Sequence, residues 1–212
     1  LYEYNYQQPL RYTVTLDADG EFVTNIEPIE QSTMGYVAEL SLFEGKSYKE
    51  IASLTQLGTD AELSATRTNT ALREMILECF AAYDYNVASY VTLGYDGAGD
   101  NITRIERRGD LYRFTVEGVA DLTEYNYRQP LCYAVTLDAA SGRIYAITTV
   151  TESTMGYTLD KQLFLGKTAE ELAAMTEEGI QADITTGATV TNVAARGLFA
   201  QCFDALEEVA HG

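Results

Sequence analysis

The sequence predicts an α+β protein built from two tandem small domains, each an antiparallel sheet packed with helices and ending in a long amphipathic helix. Three observations predict this: an internal repeat, strand patterns joined by tight turns, and helical periodicity at the end of each copy. The chain has 212 residues, of which 46% are hydrophobic, so it can supply the cores of two small domains. The repeat places these domains at 1–84 and 85–212.

The internal repeat returns segments of copy one after an offset of 121 positions. Residues 32–36, Ser-Thr-Met-Gly-Tyr, return unchanged at 153–157, and residues 3–10 return with one difference at 124–131. A period of this length is too long for a solenoid unit and fits a small domain.

Strands are predicted where apolar and polar residues alternate and turn residues follow. The clearest strand alternates the apolar residues Tyr112, Phe114 and Val116 with polar residues that include Arg113 and Glu117. Copy one has no counterpart of this strand, so either it is shorter or its first strand precedes Leu1. The predicted strands are 11–16, 22–29, 90–93, 111–118 and 144–150, with hairpin turns at 17–20 and 138–142.

Helices are predicted from capping residues and from apolar residues at steps of three and four. Ser47 with Glu50, and Thr168 with Glu171, each match a capping box, which starts a helix. The predicted short helices are 47–54 and 168–175, and the predicted long helices are 68–80 and 190–209.

Charge and composition exclude several classes of function. The formal charge of −18 and the pI of about 4.3 disfavour nucleic acid as a partner, because its phosphates would be repelled. The three cysteines lack metal-ligand spacing and the single histidine is His211, so we expect no catalytic triad and no metal site. We expect Cys79 and Cys202, which precede phenylalanines on matching helices, to be small core residues.

The most informative stretch is Asp183-Ile-Thr-Thr-Gly-Ala-Thr189, which leads into the last helix. A glycine followed by a helix start lets backbone N–H groups approach an anion, and the helix dipole favours a phosphate there. Small and hydroxyl residues before an amphipathic helix also form ordinary N-caps, and on pattern alone that is the commoner explanation.

This stretch resembles the flavinylation motif of the FMN-binding domain family, Asp-x-x-Thr-Gly-Ala-Thr followed by x-Thr. The family includes the C subunit of the sodium-translocating NADH:quinone reductase and the G subunit of the Rnf complex. The resemblance implies helices packed on an antiparallel sheet, and FMN attached to Thr189 through a phosphoester installed by a flavin transferase. It also implies that a Thr-x-Gly segment lies near the flavin. The implied cofactor-binding residues are Asp183, Thr185, Thr186, Gly187, Ala188, Thr189, Thr191, Thr154, Gly156 and Tyr157, with Phe164 and Gly166 as weaker candidates.

The two copies differ within this stretch. When they are aligned on Ala-Thr-x-Thr-Asn, copy one is two residues shorter, lacks the glycine and has Glu62 in place of Asp183. A shorter loop without glycine offers fewer N–H donors to a phosphate. We therefore predict a single covalent flavin on Thr189, with copy one degenerate and Thr66 as a second candidate.

The leading functional hypothesis is an extracytoplasmic electron-transfer flavoprotein domain rather than a stand-alone enzyme. The resemblance implies a cell-surface or membrane-anchored protein, whose partners are a flavin transferase during maturation and redox proteins of a membrane electron-transport chain. Because the chain opens at Leu1, we expect a longer natural N-terminus. One alternative is an FMN-dependent reductase of a small substrate, with Tyr157 as proton donor. Another is a flavin-free binding or structural module that uses the 16 tyrosines.

Overall fold

The computed structural model describes residues 9–30, 37–55, 57, 63–95, 101–122, 127–151, 158–175 and 186–211. Within these ranges the protein is a mixed α+β structure with two antiparallel sheets and four α-helices, and it ends in a long C-terminal helix. Contacts within the chain divide it into two compact units, an N-terminal unit Leu1–Ala88 and a C-terminal unit Ser89–Gly212.

The N-terminal unit contains one hairpin and two helices. Its turn closes because the Asp17 carboxylate accepts the N–H groups of Glu21 and Phe22, at 2.6 and 3.1 Å, and Gly20 adopts a φ of 67°. Ser47 and Glu50 form the predicted capping box. The elements are β1 (Arg11–Leu16), β2 (Val23–Glu30), a 3-10 turn (Leu40–Leu42), α1 (Tyr48–Ala52) and α2 (Leu63–Asn86).

The C-terminal unit contains a five-stranded antiparallel sheet in chain order and two helices. Thr168 and Glu171 form the second predicted capping box. The elements are β3 (Val91–Leu93), β4 (Ile102–Arg108), β5 (Leu111–Leu122), β6 (Tyr127–Asp138), β7 (Arg143–Thr151), a 3-10 turn (Lys161–Leu163), α3 (Ala169–Ala173) and α4 (Thr186–His211).

The core of the C-terminal unit lies between α4 and one face of the sheet, mainly β5 and β6. Phe199 is fully buried at its centre, with edge-to-face contacts to Phe164 at 5.2 Å and to Tyr133 at 5.7 Å between ring centroids. Gly118 on β5 lets the helix approach closely, because a Cβ there would lie 3.0 Å from Leu198. The amphipathic stripe predicted for the last helix therefore covers the sheet.

The second face of the same sheet contains an ion pair that the strand pattern did not predict. Arg113 was predicted to lie on a polar face, but it is buried and donates to the Glu106 carboxylate at 3.0 Å on the neighbouring strand. The ring of Tyr90 lies 4.0 Å from the Arg113 guanidinium carbon. Strand β4, which carries Glu106, was not predicted, because a register irregularity after Ile102 interrupts its alternation.

The observed bounds confirm the strand at 11–16. The strands predicted at 111–118 and 144–150 and both long helices are longer than predicted. The strand predicted at 90–93 and both short helices are shorter, and the strand predicted at 22–29 is shifted by one residue. Both long helices begin earlier than predicted, at Leu63 and Thr186, so the last part of the flavinylation-like stretch is helical rather than a loop before the helix. Helix α2 also continues to Asn86, beyond the domain boundary predicted after residue 84. Across the described ranges, no helix combines the length and hydropathy needed to cross a bilayer.

Candidate functional site

The predicted flavin-binding residues fall into two groups. Thr186, Gly187 and Ala188 form the first three positions of α4, and Thr189 is the fourth. The first N–H groups of a helix have no partner within it, so this turn presents backbone donors at its N-terminal end. Thr191 lies two residues after Thr189 on the same helix. The other candidates, Thr154, Gly156, Tyr157, Asp183 and Thr185, lie outside the described residues.

The two predicted threonines of α4 whose side chains are described differ in solvent exposure. Thr189 is partly exposed, whereas Thr191 and the following Asn192 have no exposed surface. The hydroxyl of Thr191 therefore lies inside the unit, where it contributes to packing. Thr189 remains accessible at the first turn of the helix.

Asn192 and Arg196 attach α4 to the rest of the C-terminal unit. The Asn192 side-chain oxygen accepts the backbone N–H of Asp160 at 3.0 Å. One turn later, the Arg196 guanidinium donates to the carbonyl of Met175. These contacts hold the first turns of the helix against Asp160 and Met175.

The N-terminal unit repeats both attachments. Asn69 accepts the N–H of Glu39 at 2.8 Å, and Arg73 donates to the carbonyl of Leu54 at 3.3 Å. Sequence reasoning missed all four of these helix residues. Their recurrence at the same spacing in both copies, Asn-x-x-x-Arg, was the signal that could have identified them.

When the sequences of α2 and α4 are aligned on these equivalent residues, the offset is 123 positions. Helices α2 and α4 then begin at equivalent residues, and Thr66 is the fourth residue of α2 as Thr189 is of α4. Thr66 is also partly exposed. At the second helix position Ser64 stands where the C-terminal unit has Gly187, and the two-residue insertion falls before the helix start.

Chain connectivity relates the second candidate segment to α4. Asp160, whose N–H binds Asn192, follows Tyr157 by only three residues, and three residues span at most about 11 Å. Asn192 lies three residues, or about 5 Å along the helix axis, beyond Thr189. Asp160, a described residue that follows the second candidate segment, therefore lies beside the first turns of α4.

Cys202 and the two weaker candidates, Phe164 and Gly166, are engaged within the fold of the C-terminal unit. Burial raises the pKa of the Cys202 thiol well above its ordinary value, and Cys202 is fully buried in the core. Phe164 is likewise fully buried, and Gly166 makes a backbone hydrogen bond to Ile144 at 2.9 Å with a φ of 75°. Within the described residues, no cluster of His, Cys, Asp or Glu side chains is arranged to hold a metal.

Comparison of the chain with protein-family models, with curated proteins and with solved structures gave no match.

Proposed function

We propose that the C-terminal unit is an electron-transfer flavoprotein domain that carries FMN on Thr189 through a phosphoester. The observation that carries the proposal is the position of Thr189 in the flavinylation-like stretch, partly exposed on the first turn of a long and well-anchored helix. A threonine sealed in the core, as Thr191 is, could not accept a flavin.

The described residues fit the phosphate end of such a cofactor. The first-turn N–H groups of Thr186, Gly187 and Ala188 lie at the positive end of the helix dipole, where an anion is stabilised. Gly187 has no side chain, and the N-terminal unit has Ser64 at the equivalent helix position. Asp183, Thr185, Thr154, Gly156 and Tyr157 stay predicted contacts of the flavin.

Each part of the chain then has a defined role. Thr189 supplies the acceptor hydroxyl during maturation, and the flavin transferase supplies the activated flavin. Bound FMN would supply the electron-transfer chemistry, and the protein would tether and orient it. The anchors Asn192 and Arg196 would keep the attachment point in a fixed position on the sheet.

The same proposal assigns the two units different tasks. We take them as tandem domains related by duplication, with the first copy degenerate and serving as a structural or docking partner. Placement outside the cytoplasm, at the cell surface or on a membrane anchor, follows from the family resemblance, as does electron exchange with membrane redox proteins.

Intact-protein mass after co-expression with a flavin transferase tests the attachment. The expected product carries one FMN, with the mass of FMN less one water, and Thr189→Ala abolishes it. Thr66→Ala is the matched control, because Thr66 occupies the equivalent helix position, and it should leave the adduct unchanged. Circular dichroism of each variant reports that the fold is retained.

The possible outcomes distinguish the rival functions. An adduct that persists in Thr189→Ala contradicts the proposed site. A wild-type protein that is never modified by the transferase favours the flavin-free module. Turnover of a soluble substrate by the loaded protein alone favours the reductase.

A further inference from the structure

A second candidate site lies at the opposite end of α4 from Thr189. A cavity of about 490 Å³ opens between the β6–β7 turn, the start of α3 and the last turns of α4. Leu206 in its wall lies 17 residues after Thr189, or roughly 25 Å along the helix axis. The cavity is therefore independent of the flavin proposal.

In the N-terminal unit, two tyrosine residues stand at positions equivalent to the lining of this cavity. There the ring of Tyr83 lies against the turn glycine, so that a Cβ on Gly20 would be 2.1 Å from it. The Tyr83 hydroxyl donates to the carbonyl of Ala18 at 3.0 Å. Tyr48, at the start of α1, is buried and makes an edge-to-face contact with Phe80 at 5.9 Å between ring centroids.

The C-terminal unit has lost both rings. The helix alignment places Leu206 where the N-terminal unit has Tyr83, and the repeat offset of 121 places Ala169 where it has Tyr48. The turn glycine keeps its conformation, with a φ of 64° at Gly142, but nothing lies within 4 Å of a Cβ built there. Two replacements of tyrosine by smaller residues thus open the cavity.

The two units also differ in the charge of the residues at the cavity rim. Exposed Glu170 lines the cavity where the N-terminal unit has Lys49, and exposed Glu207 lines it where that unit has the buried Asp84. The lining contains no basic residue. The rim therefore combines two carboxylates and attracts a cation.

The other polar groups of the lining are already engaged. The Ser141 hydroxyl donates to Asp138 at 2.8 Å, and the Thr168 hydroxyl accepts the N–H of Glu171 at 3.2 Å. The two carboxylates consequently stand above a largely apolar wall that includes Phe203 and Leu206. An apolar surface with a few charged groups, at a volume within about 300–1,000 Å³, is typical of small-molecule sites.

We propose that this cavity binds a small phenolic amine. Its ring takes the place of the missing tyrosine side chains against Phe203 and Leu206. Its ammonium group meets Glu170 and Glu207. Its hydroxyl is directed to the carbonyl of Ala139, the counterpart of the Ala18 carbonyl that Tyr83 uses.

Tyramine is the probe, and phloretic acid is its matched control, because the two share a phenol and an ethylene chain but carry opposite charges. Amide chemical shifts of the full chain are recorded during titration by NMR. Tyramine should shift the amides of Gly142, Ala169 and Ala210 in a saturable manner. Phloretic acid should bind at least about tenfold more weakly.

Two variants test the wall and the rim separately. Leu206→Tyr restores the ring of the N-terminal unit and should abolish tyramine binding. Glu170→Lys restores that unit's charge at an exposed position, so it leaves the core unchanged and should weaken binding at least about fivefold.

Three results would each overturn the proposal: no saturable shift up to the solubility limit of tyramine, equal binding of phloretic acid, or unchanged binding in Glu170→Lys. Persistent binding in a folded Leu206→Tyr variant would also overturn it. None of these results depends on whether Thr189 carries a flavin.

Discussion

Removal of the buried carboxylate on β4 should destabilise the C-terminal unit strongly. Glu106→Leu removes the carboxylate that lies 3.0 Å from the Arg113 guanidinium. Both side chains are buried, with 6% of Glu106 and 9% of Arg113 exposed. Loss of one partner of a buried ion pair costs about 3–5 kcal/mol. For a chain of this size that corresponds to a decrease in Tm of roughly 6–20 °C.

Two further variants distinguish the contribution of the ion pair to stability from that of its surroundings. Arg104→Ala removes the exposed partner of the same carboxylate, 2.6 Å away, and should cost less than about 1 kcal/mol. The double variant Glu106→Leu with Arg113→Met replaces both charges by apolar groups, so it should recover most of the loss. Urea unfolding followed by far-UV circular dichroism measures all of them.

Two results would refute this reasoning. If Glu106→Leu were no more destabilising than Arg104→Ala, the carboxylate would not behave as a buried partner. If the double variant were as unstable as Glu106→Leu alone, the loss would come from altered packing rather than from an uncompensated charge.

Three further predictions concern single side chains. Gly20→Ala should lower the free energy of unfolding by about 1–3 kcal/mol more than Gly142→Ala, because of the two only Gly20 has a ring, that of Tyr83, in the way of a Cβ. Comparison of urea midpoints checks this. Asn192→Ala should lower the free energy of unfolding by about 0.5–1.5 kcal/mol, measured in the same way, because the partly buried N–H of Asp160 loses its acceptor; an unchanged midpoint would contradict the anchoring role. Burial raises the pKa of Tyr133 from 10.0 to about 12, so the unfolded chain releases the phenol proton at a lower pH than the folded chain does. The free energy of unfolding should therefore fall as the pH rises from 10 toward 12. Thermal melts over this range should show a smaller fall in Tm for Tyr133→Phe.

Much of the local structure could be predicted from the sequence. The strand at 11–16, its hairpin turn and both capping boxes depend on alternation and turn chemistry between near neighbours. Strand β4 was missed, because its bulge breaks the alternation and its buried Glu106 is a residue type that usually lies in water.

The candidate site was predictable in part. The position of Thr189 before or within the helix depends on how far hydrogen bonding continues toward the N-terminus, which periodicity alone does not determine. The anchors Asn192 and Arg196 could not be assigned roles without knowing that Asp160 and Met175 pack beside the helix.

The sequence by itself determined the duplication, the alternation of the strands, the helix caps and the stretch that ends at Thr189. These features depend on residues close together in the chain, whose conformational preferences act locally. Only the tertiary structure decided which polar residues are buried, that Thr191 has no exposed surface while Thr189 is partly exposed, and that a cavity lies where the N-terminal unit has tyrosine side chains. Burial and cavities depend on packing between segments far apart in the chain, and no local pattern specifies them.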